Sequence, residues 1–421
     1  MTNYVISGAT TPSGKTGTYF VADGVFVEDE PANSLHIDAD GLIVLPGLVD
    51  MHTHLRQPGR EDAETVASGT AAAAKGGFTA VCAMANTTPV TDTPEEIELV
   101  AMLGRHEGKA QVVPVGAITK NMEGKVLAEM GLMAQTSAKP RLFSDDGKCV
   151  MDALLMRRAF EWVKPFDGVL AQHCQDANLA GPAACCDEGE VSARLGLGGW
   201  PWAAESSIIA RDAQLAELTG ARYHAMHVST AEALDVVRWA KQRGIQITAE
   251  ATPHHLFLSS ELLAGYDTTY KVNPPLRSSE DIEALRQGVL DGTIDIIATD
   301  HAPHAPQDKD HSFTDAKPGM VGLEQALAVI MEVFVNPGLL GWEDVARLMS
   351  ANPAKIARIE GQGRPIAPGE PANLVLVDPS RRAVVNREES ASKSRNNPYH
   401  GIELPDPVVM TMWAGRLTYQ R

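Results

Sequence analysis

The heptapeptide Asp50-Met51-His52-Thr53-His54-Leu55-Arg56 directly follows an apolar run at residues 42–49. In a β-strand, alternate side chains point to the same face, so the acid, both histidines and the arginine are predicted to project together. Ionisable groups on one face of an apolar strand cost free energy unless a partner binds them. A metal ion is one such partner. A His-x-His pair also occurs on surfaces and in cores, so this stretch alone leaves both interpretations open.

From this stretch onward, strand-like and helix-like segments alternate. The strand candidates are residues 47–54, 79–86, 111–119, 141–146, 168–174, 222–229, 245–252 and 295–300. The helix candidates are residues 61–75, 95–106, 152–163, 206–218, 231–243, 279–290, 322–334 and 342–349. Eight strand–helix units predict an α/β fold, a (β/α)₈ TIM-type barrel. A doubly wound sheet would need a glycine fingerprint after its first strand, and HTHLRQPGRED stands there instead.

Both ends of the chain have a different texture, with short strands separated by turns. The N-terminal candidates are residues 4–7, 18–22, 25–27 and 35–37, and the C-terminal ones are residues 373–377, 383–386, 408–413 and 416–419. Chain termini often lie close together. We therefore expect residues 1–46 and 363–421 to form one small β-sandwich domain beside a barrel domain at residues 47–362.

Composition excludes several classes of function. The 421-residue chain has a formal charge of −18, which argues against a general nucleic-acid or anionic-membrane binder. Its five cysteines include no CxxC pair, so neither a disulfide framework nor a zinc ribbon is indicated. No secretory signal or membrane-spanning run is apparent at the sequence level. The expected location is the cytoplasm.

The predicted carboxyl ends of the barrel strands carry an unusual number of potential ligands. In a barrel of this kind, reactive groups lie at these ends. In strand order they are His52, His54 and Arg56; Asn86; Asp145 and Asp146; His173; His227; His254 and His255; and Asp300, His301 and His304. Several imidazoles with a shared carboxylate are the pattern that a two-metal site requires.

These residues resemble the metal-dependent amidohydrolase superfamily and, within it, the dihydroorotases. The resemblance runs from about residue 41 to residue 378. Its most specific segments are DMHTHLRQPG (50–59), MANTTP (84–89), KVNPPLR (271–277), ATDHAPHAPQDK (298–309) and VGLE (321–324). The departures are Gln57, where the family more often has Glu, and Ala85, where it more often has Pro.

The resemblance implies a ligand set. His52 and His54 with Asp300 would bind one metal ion, and His173 with His227 a second; zinc is expected, as one or two ions. Asp300 would also act as general base and then general acid.

A related branch bridges its metals with a carboxylated lysine on the fourth strand, but this chain reads LFSDDG there. An aspartate should take that place. Alignment with that class favours Asp146, strand phase does not separate it from Asp145, and Lys148 is the fallback.

The resemblance also implies how substrate binds. Arg56, Asn86 and His304 would contact the ring carboxylate of dihydroorotate, and a planar guanidinium suits that group. Asn273 would contact the ring amide. The backbone around Pro318 and Gly319 would close over the pyrimidine.

The implied activity is reversible metal-dependent hydrolysis of (S)-dihydroorotate to N-carbamoyl-L-aspartate in de novo pyrimidine (UMP) biosynthesis. One alternative is another cyclic amidohydrolase, acting on hydantoin, dihydropyrimidine or allantoin. Another is a non-catalytic, dihydroorotase-like partner of aspartate carbamoyltransferase. The expected partners are the small-molecule substrate, a second copy in a homodimer and aspartate carbamoyltransferase.

Overall fold

The computed structural model describes residues 2–421, and its chain begins with short β-strands. They are β1 (Asn3–Thr10), β2 (Thr16–Ala22), β3 (Val25–Val27), β4 (Ser34–Asp38) and β5 (Ile43–Pro46). β1 pairs antiparallel with β2 and parallel with β4, and its end bridges to β5. The heptapeptide of residues 50–56 therefore follows closely after β5 of this sheet, at the start of the next part of the fold.

The middle of the chain forms a closed parallel barrel. Its strands and two outlying ones are β6 (Leu48–Thr53), β7 (Phe78–Ala83), β8 (Gln111–Pro114), β9 (Leu142–Phe143), β10 (Val169–Gln172), β11 (Ala184–Asp187), β12 (Gly198–Trp200), β13 (Arg222–Ala225), β14 (Ile247–Ala251) and β15 (Ile296–Ile297). One sheet runs β6-β7-β8 and another β15-β14-β13-β10-β9. Backbone bridges from Gly116 to Phe143 and from Thr53 to His301 close the two sheets into a ring. The predicted (β/α)₈ barrel is confirmed.

Helices surround the barrel strands. They are α1 (Val66–Lys75), α2 (Pro94–Glu107), α3 (Met130–Met133), α4 (Ala153–Val163), α5 (Ala177–Ala180), α6 (Glu190–Leu195), α7 (Ala203–Thr219), α8 (Ala231–Gln242), α9 (Pro253–Phe257), α10 (Ser279–Leu290), α11 (Pro306–Lys309), α12 (Ala326–Ile330), α13 (Trp342–Ala346) and α14 (Asn352–Ala357). Wider π turns at Met331–Val335 and Arg347–Ala351 continue α12 and α13. Within residues 2–421, no helix is long and apolar enough to cross a membrane.

The first helix begins later than the sequence pattern suggested. The predicted start at residue 61 is wrong, because Thr65 is the N-cap. Its side chain accepts the Ser68 N–H, and the Ser68 hydroxyl accepts the Thr65 N–H. This reciprocal cap satisfies two backbone donors that a helix start otherwise leaves unpaired. Residues 61–64 consequently remain a turn beside the site described below.

The last part of the chain returns to the N-terminal sheet. Its strands are β16 (Leu374–Val377), β17 (Arg382–Val384), β18 (Glu403–Pro405), β19 (Val408–Trp413) and β20 (Arg416–Gln420). β16 pairs antiparallel with β5 and with β19, which gives a mixed eight-stranded sheet built from both ends of the chain. β16 is buried on both faces. Leu374 and Leu376 pack into the core of this sheet, and Val375 and Val377 into the core of the barrel.

Residues 379–405 leave that sheet and lie against the barrel. Residues 383–386 were expected to form a strand of the small β domain. Instead, β17 and β18 form a separate two-stranded sheet. Residues 390–399, named the C-terminal strap here, lie between β17 and β18 and have no regular structure. Ser392, Ser394, Asn396 and Asn397 of the strap are buried. The division into residues 1–46 plus 363–421 and residues 47–362 stays a proposal, and the strap joins the two parts.

We expect Leu376→Ala to destabilise the protein by about 2–5 kcal/mol, because a fully buried leucine leaves a cavity. The matched control is Val384→Ala, at a side chain that is 61% exposed, with an expected cost of about 0.5 kcal/mol or less. Urea denaturation followed by circular dichroism measures both. Equal shifts for the two variants would contradict the assigned core.

Candidate metal centre

Four predicted ligands meet at the carboxyl end of the barrel. His52 Nε2 lies 3.3 Å from Asp146 Oδ2 and 3.4 Å from Asp300 Oδ1. His54 Nε2 lies 3.2 Å from the same Asp146 oxygen and 3.0 Å from the same Asp300 oxygen. All four side chains are buried. Two imidazoles and two carboxylates therefore surround a single point, which is called the metal point below.

A second group of ligands adjoins the first. His173 Nδ1 and His227 Nε2 each lie 3.6 Å from Asp146 Oδ1. The two imidazole nitrogens are 2.9 Å apart. Asp146 thus offers one oxygen to each pair of histidines, and it is the member common to both groups.

The donor set fits metal ions. Zinc bonds to imidazole nitrogen and carboxylate oxygen measure about 2.0–2.2 Å, which puts neighbouring ligands of a tetrahedron about 3.4 Å apart. The ligand spacings above, 2.9 to 3.6 Å, bracket that value. Eight buried side-chain polar atoms of the described residues have no hydrogen-bond partner, and two of them, His52 Nε2 and Asp146 Oδ1, are ligand atoms of these groups. Because buried polar atoms are nearly always paired, these two atoms point to a bound cation.

The structure separates the two adjacent aspartates. Asp145 Oδ1 accepts the backbone N–H groups of Ile118 and Thr119 at 2.8 and 3.0 Å, and its other oxygen accepts the Thr119 hydroxyl. Asp145 is therefore occupied outside both ligand groups. Lys148, the fallback candidate, is exposed. β9 ends at Phe143, so Asp146 follows the strand and strand phase does not govern its direction.

Glu250 hydrogen-bonds to the ligand histidines, and it was not predicted from the sequence. His52 Nδ1 donates to Glu250 Oε1 at 2.6 Å, and His224 Nε2 donates to Glu250 Oε2 at 3.0 Å. The backbone N–H of His227 also donates to Oε1, at 3.0 Å. With its proton on Nδ1, His52 presents the lone pair of Nε2 to the metal point. The sequence feature that could have indicated this role is the position of Glu250, an acid within the apolar strand β14.

Asn86 holds the other first-strand histidine. His54 Nδ1 donates to Asn86 Oδ1 at 2.9 Å, which leaves Nε2 of His54 for the metal point. The Asn86 amide nitrogen lies 3.5 Å from the carbonyl oxygen of Asp146. The structure therefore places Asn86 against a ligand, and only its amide nitrogen can serve the predicted substrate contact.

The electrostatics of the site favour added positive charge. Burial alone would raise the pKa of Asp146, but the surrounding imidazoles, His52 foremost, hold it well below its ordinary value. Burial alone would lower the pKa of His52, yet the carboxylates of Asp146 and Asp300 raise it well above its ordinary value. Buried carboxylates need a cationic partner. A divalent cation supplies that charge without protonating the imidazoles.

Three predicted site residues have left-handed backbones. The φ angles are +60° at Arg56, +32° at His227 and +46° at Asp300. Non-glycine residues in this region cost about 1–3 kcal/mol each and cluster at functional sites.

The prediction that Arg56 projects from the same strand face as His52 and His54 is wrong, because β6 ends at Thr53. Asp50 also turns away from the metal point, since Oδ1 accepts the backbone N–H of Thr299 at 3.1 Å.

Arg56 and His304, two of the predicted substrate residues, hydrogen-bond to backbone carbonyls of the loop after β15. Arg56 Nε donates to the Pro303 carbonyl at 3.0 Å. His304 Nε2 donates to the Pro318 carbonyl at 2.8 Å, so a substrate carboxylate must compete with that carbonyl for this proton. Burial, with the charge of Arg56, lowers the pKa of His304 to about 3, which keeps the ring neutral.

Gly319 lies close to the His304 ring, and Asn273 lies close to His173. A Cβ on Gly319, whose φ is +147°, would lie 2.8 Å from the His304 ring. Asn273 Nδ2 donates to Gln175 Oε1 at 3.2 Å and lies 3.5 Å from His173 Nε2. Gln175 also contacts His173 Nε2 at 3.0 Å. It therefore links the predicted ring-amide contact to a metal ligand.

The remaining strand-end histidines lie outside both ligand groups. His301 Nε2 donates to Glu64 at 3.3 Å, and its Nδ1 accepts the Gly322 N–H at 3.1 Å. His255 Nε2 lies 3.1 Å from the Pro274 carbonyl. His254 is buried in contact with His255. Structural roles account for His301 and His255.

Comparison with known proteins agrees with this geometry. A family model described as "Dihydro-orotase-like" matches residues 41–233, and one described as "Amidohydrolase family" matches residues 199–418. The dihydroorotase of Leifsonia xyli subsp. xyli is 54% identical, with 99% of this chain and 95% of the relative covered. That of Mycobacterium tuberculosis is 52% identical, with 91% and 89% covered.

Solved structures share the fold at low identity. L-hydantoinase (dihydropyrimidinase) from Arthrobacter aurescens superposes with a TM-score of 0.87 at 21% identity, covering 100% of this chain and 96% of that one. Dihydropyrimidinase from Brevibacillus agri gives 0.86 at 20% identity, covering 99% and 95%. These likenesses establish the barrel with its appended sheet.

A closed (β/α)₈ barrel with a buried cluster of histidines and aspartates at its carboxyl end defines an amidohydrolase. Within that class, the identity to curated relatives over nearly the whole chain decides the branch. The chain belongs to the dihydroorotase family.

We expect Asp146→Asn to lower the metal-to-protein ratio of the purified protein, because it removes the carboxylate shared by both ligand groups. Asp145→Asn is the matched control: it changes the neighbouring aspartate, also buried, which bonds only to backbone and Thr119. Elemental analysis of folded protein reads both ratios. A ratio that falls in Asp145→Asn and not in Asp146→Asn would reverse the assignment.

Proposed function

We propose that this chain catalyses the reversible hydrolysis of the cyclic amide of (S)-dihydroorotate to N-carbamoyl-L-aspartate. The observation that carries the proposal is the cluster of six buried side chains, Asp146 and five around it, in a chain of the dihydroorotase family. The six are His52, His54, Asp146, His173, His227 and Asp300. A complete ligand set argues against the alternative of a non-catalytic partner of aspartate carbamoyltransferase.

Imidazole and carboxylate ligands suit zinc, and the two groups joined by Asp146 have room for one ion each. When bound, the metal would lower the pKa of water and polarise the ring carbonyl. His52 and His54 would hold one ion with Asp300, and His173 and His227 the other. Asp146 would contribute to both.

Asp300 would move the proton during the reaction. Burial would raise its pKa, but the charge of His52 and the hydrogen bond from His54 lower it, so the carboxylate is ionised at neutral pH. An ionised Asp300 can accept the proton of the attacking water and then donate it to the leaving amide nitrogen. The left-handed backbone at Asp300 aims Oδ1 at both first-strand histidines.

Arg56 supports a substrate that carries a carboxylate. Its Nε donates to the Pro303 carbonyl, and among the described residues no carboxylate lies within ion-pair distance of the guanidinium. Burial, together with the charge of Arg60, lowers the pKa of Arg56 to about 10, so it stays charged at neutral pH. The planar guanidinium can bind a carboxylate with two parallel hydrogen bonds.

The same argument separates dihydroorotate from uncharged cyclic amides. Hydantoin, dihydrouracil and allantoin have no ring carboxylate, so each would leave the half-buried Arg56 cation without a partner. The likeness to hydantoinases, at 20–21% identity, concerns the fold alone. A substrate panel with all four rings tests this preference.

The broader role follows from the reaction. Ring closure yields a pyrimidine precursor, so we place the protein in pyrimidine biosynthesis in the cytoplasm. A homodimer and an association with aspartate carbamoyltransferase are part of the proposal. Size-exclusion chromatography of the mixed proteins tests both.

We expect the parent protein to interconvert both substrates, to lose activity with a chelator and to regain it with zinc. Asp300→Asn should lower kcat by ~10²–10⁴-fold, because the amide cannot relay the proton. Asp235→Asn, at an exposed carboxylate on α8, is the control and should match the parent. Steady-state assays in both directions give the result. Near-parent turnover in Asp300→Asn would sink the assignment.

The equilibrium position should depend on pH. Closure of N-carbamoyl-L-aspartate consumes one proton, because a carboxylate is converted into a neutral ring carbonyl. The equilibrium ratio of dihydroorotate to N-carbamoyl-L-aspartate should therefore fall about tenfold for each unit of rising pH. Chromatographic ratios at pH 6, 7 and 8, approached from both sides, check this. A ratio independent of pH would mean that another reaction is being catalysed.

A further inference from the structure

The C-terminal strap reaches the substrate side of the metal centre. Ser394 Oγ donates to the Ala63 carbonyl at 2.7 Å, and Lys393 N donates to Glu64 Oε1 at 3.0 Å. The strap is thereby fixed to the turn between β6 and α1. At its far end, Asn397 Nδ2 donates to Gln325 Oε1 at 3.0 Å. Asn396 lies between these attachments and faces the loop after β15.

Both polar atoms of the Asn396 side chain hydrogen-bond to the backbone of that loop. Its Nδ2 donates to the carbonyl oxygens of Ala302 and Gly319, at 2.9 and 3.0 Å. Its Oδ1 accepts the backbone N–H of His304, at 3.2 Å. The side chain is 5% exposed, so water does not substitute for these partners. One amide thus joins two segments of the loop that are separated by 15 or more residues along the chain.

The chemistry of the three contacts requires an amide. The position needs two N–H donors and one acceptor on a short side chain, and asparagine provides all of them. Aspartate has the same size, but its ionised carboxylate only accepts. It would face the carbonyl oxygens of Ala302 and Gly319 without a proton to offer either.

The segments that Asn396 joins are those predicted to hold the substrate ring and its carboxylate. His304 and Gly319 pack tightly, since a Cβ on Gly319 would lie 2.8 Å from the His304 ring. Positioning errors of about 1 Å can cost enzymes as much as 10²-fold. A side chain that fixes the backbone of both residues therefore controls how the substrate carboxylate is received.

We propose that Asn396, on the C-terminal strap, is a positioning residue that sets the substrate-binding wall of His304 and Gly319. This inference rests on the proposed function, because the wall is assigned to dihydroorotate. The hydrogen bonds of the Asn396 side chain go to the backbone of Ala302, His304 and Gly319, and not to any of the six ligand side chains. Its loss should therefore affect substrate binding and leave the metal in place.

The test compares Asn396→Asp with Asn397→Asp. Asn397 is the adjacent asparagine, is also buried, and contacts Gln325, which can rotate its own amide to donate to an aspartate. KM and kcat for dihydroorotate, metal content and the thermal midpoint are measured for the parent and both variants. Calorimetry with orotate, a planar ring with the same carboxylate, measures the Kd for binding to this wall in the absence of turnover. Asn396→Ala removes the same contacts without adding charge.

For Asn396→Asp we expect KM and the orotate Kd to rise together by about tenfold or more, since two hydrogen bonds are lost and a charge is buried. Metal content should match the parent, and kcat should change by less than KM. Asn396→Ala should shift KM in the same direction by a smaller factor, and Asn397→Asp should keep the parent KM.

Three results would overturn the inference. One is an unchanged KM and orotate Kd in both Asn396 variants. Another is a fall in kcat alone that tracks a lower thermal midpoint, which is the mark of a residue that only stabilises the fold. The third is failure of both variants to fold. A parent protein that binds orotate but does not turn over dihydroorotate would instead refute the proposed function, and the orotate affinities would still decide the role of Asn396.

Discussion

The sharing of Asp146 between two pairs of histidines is the constraint on which the rest of the site depends. The six clustered side chains come from the carboxyl ends of five barrel strands, and they meet because the backbone bridges at residues 116–143 and 53–301 close the ring. A side chain that contacts both pairs must stand at the centre of that end. The short strand β9 stops at Phe143 and leaves the following turn free to place Asp146 there.

Charge explains why the site keeps this arrangement. Asp146, Asp300 and Glu250 are all buried, and in the protein alone their counter-charges come only from imidazoles and the distant Arg56. Burial raises the pKa of Glu250, but His52 and His224 outweigh it and bring the pKa to about 2. Three buried carboxylates clustered among imidazoles favour the binding of divalent cations. Binding of a divalent cation would supply the positive charge that these carboxylates need.

The sequence alone was enough to predict the barrel and the clustering of the six side chains at strand ends, because parallel strands bring their carboxyl ends to one face. It left Asp145 and Asp146 open, since phase carries no information beyond the end of a two-residue strand. It misjudged Arg56, because β6 ends three residues earlier. Glu250 and Asn396 were missed for different reasons: one lies inside a strand, and the other is about 90 residues from the loop it holds. Contacts of that range depend on tertiary packing, which no local pattern records.

The most direct measurement is a crystal structure of the zinc-loaded protein, with anomalous diffraction collected at the zinc absorption edge. The account predicts two anomalous peaks about 3.5–4 Å apart, as in other two-metal sites, with one Asp146 oxygen directed at each. His52, His54 and Asp300 should surround one peak, and His173 and His227 the other. A single peak without Asp146 as a ligand, or a pair of ions bridged by another residue, would contradict the central claim.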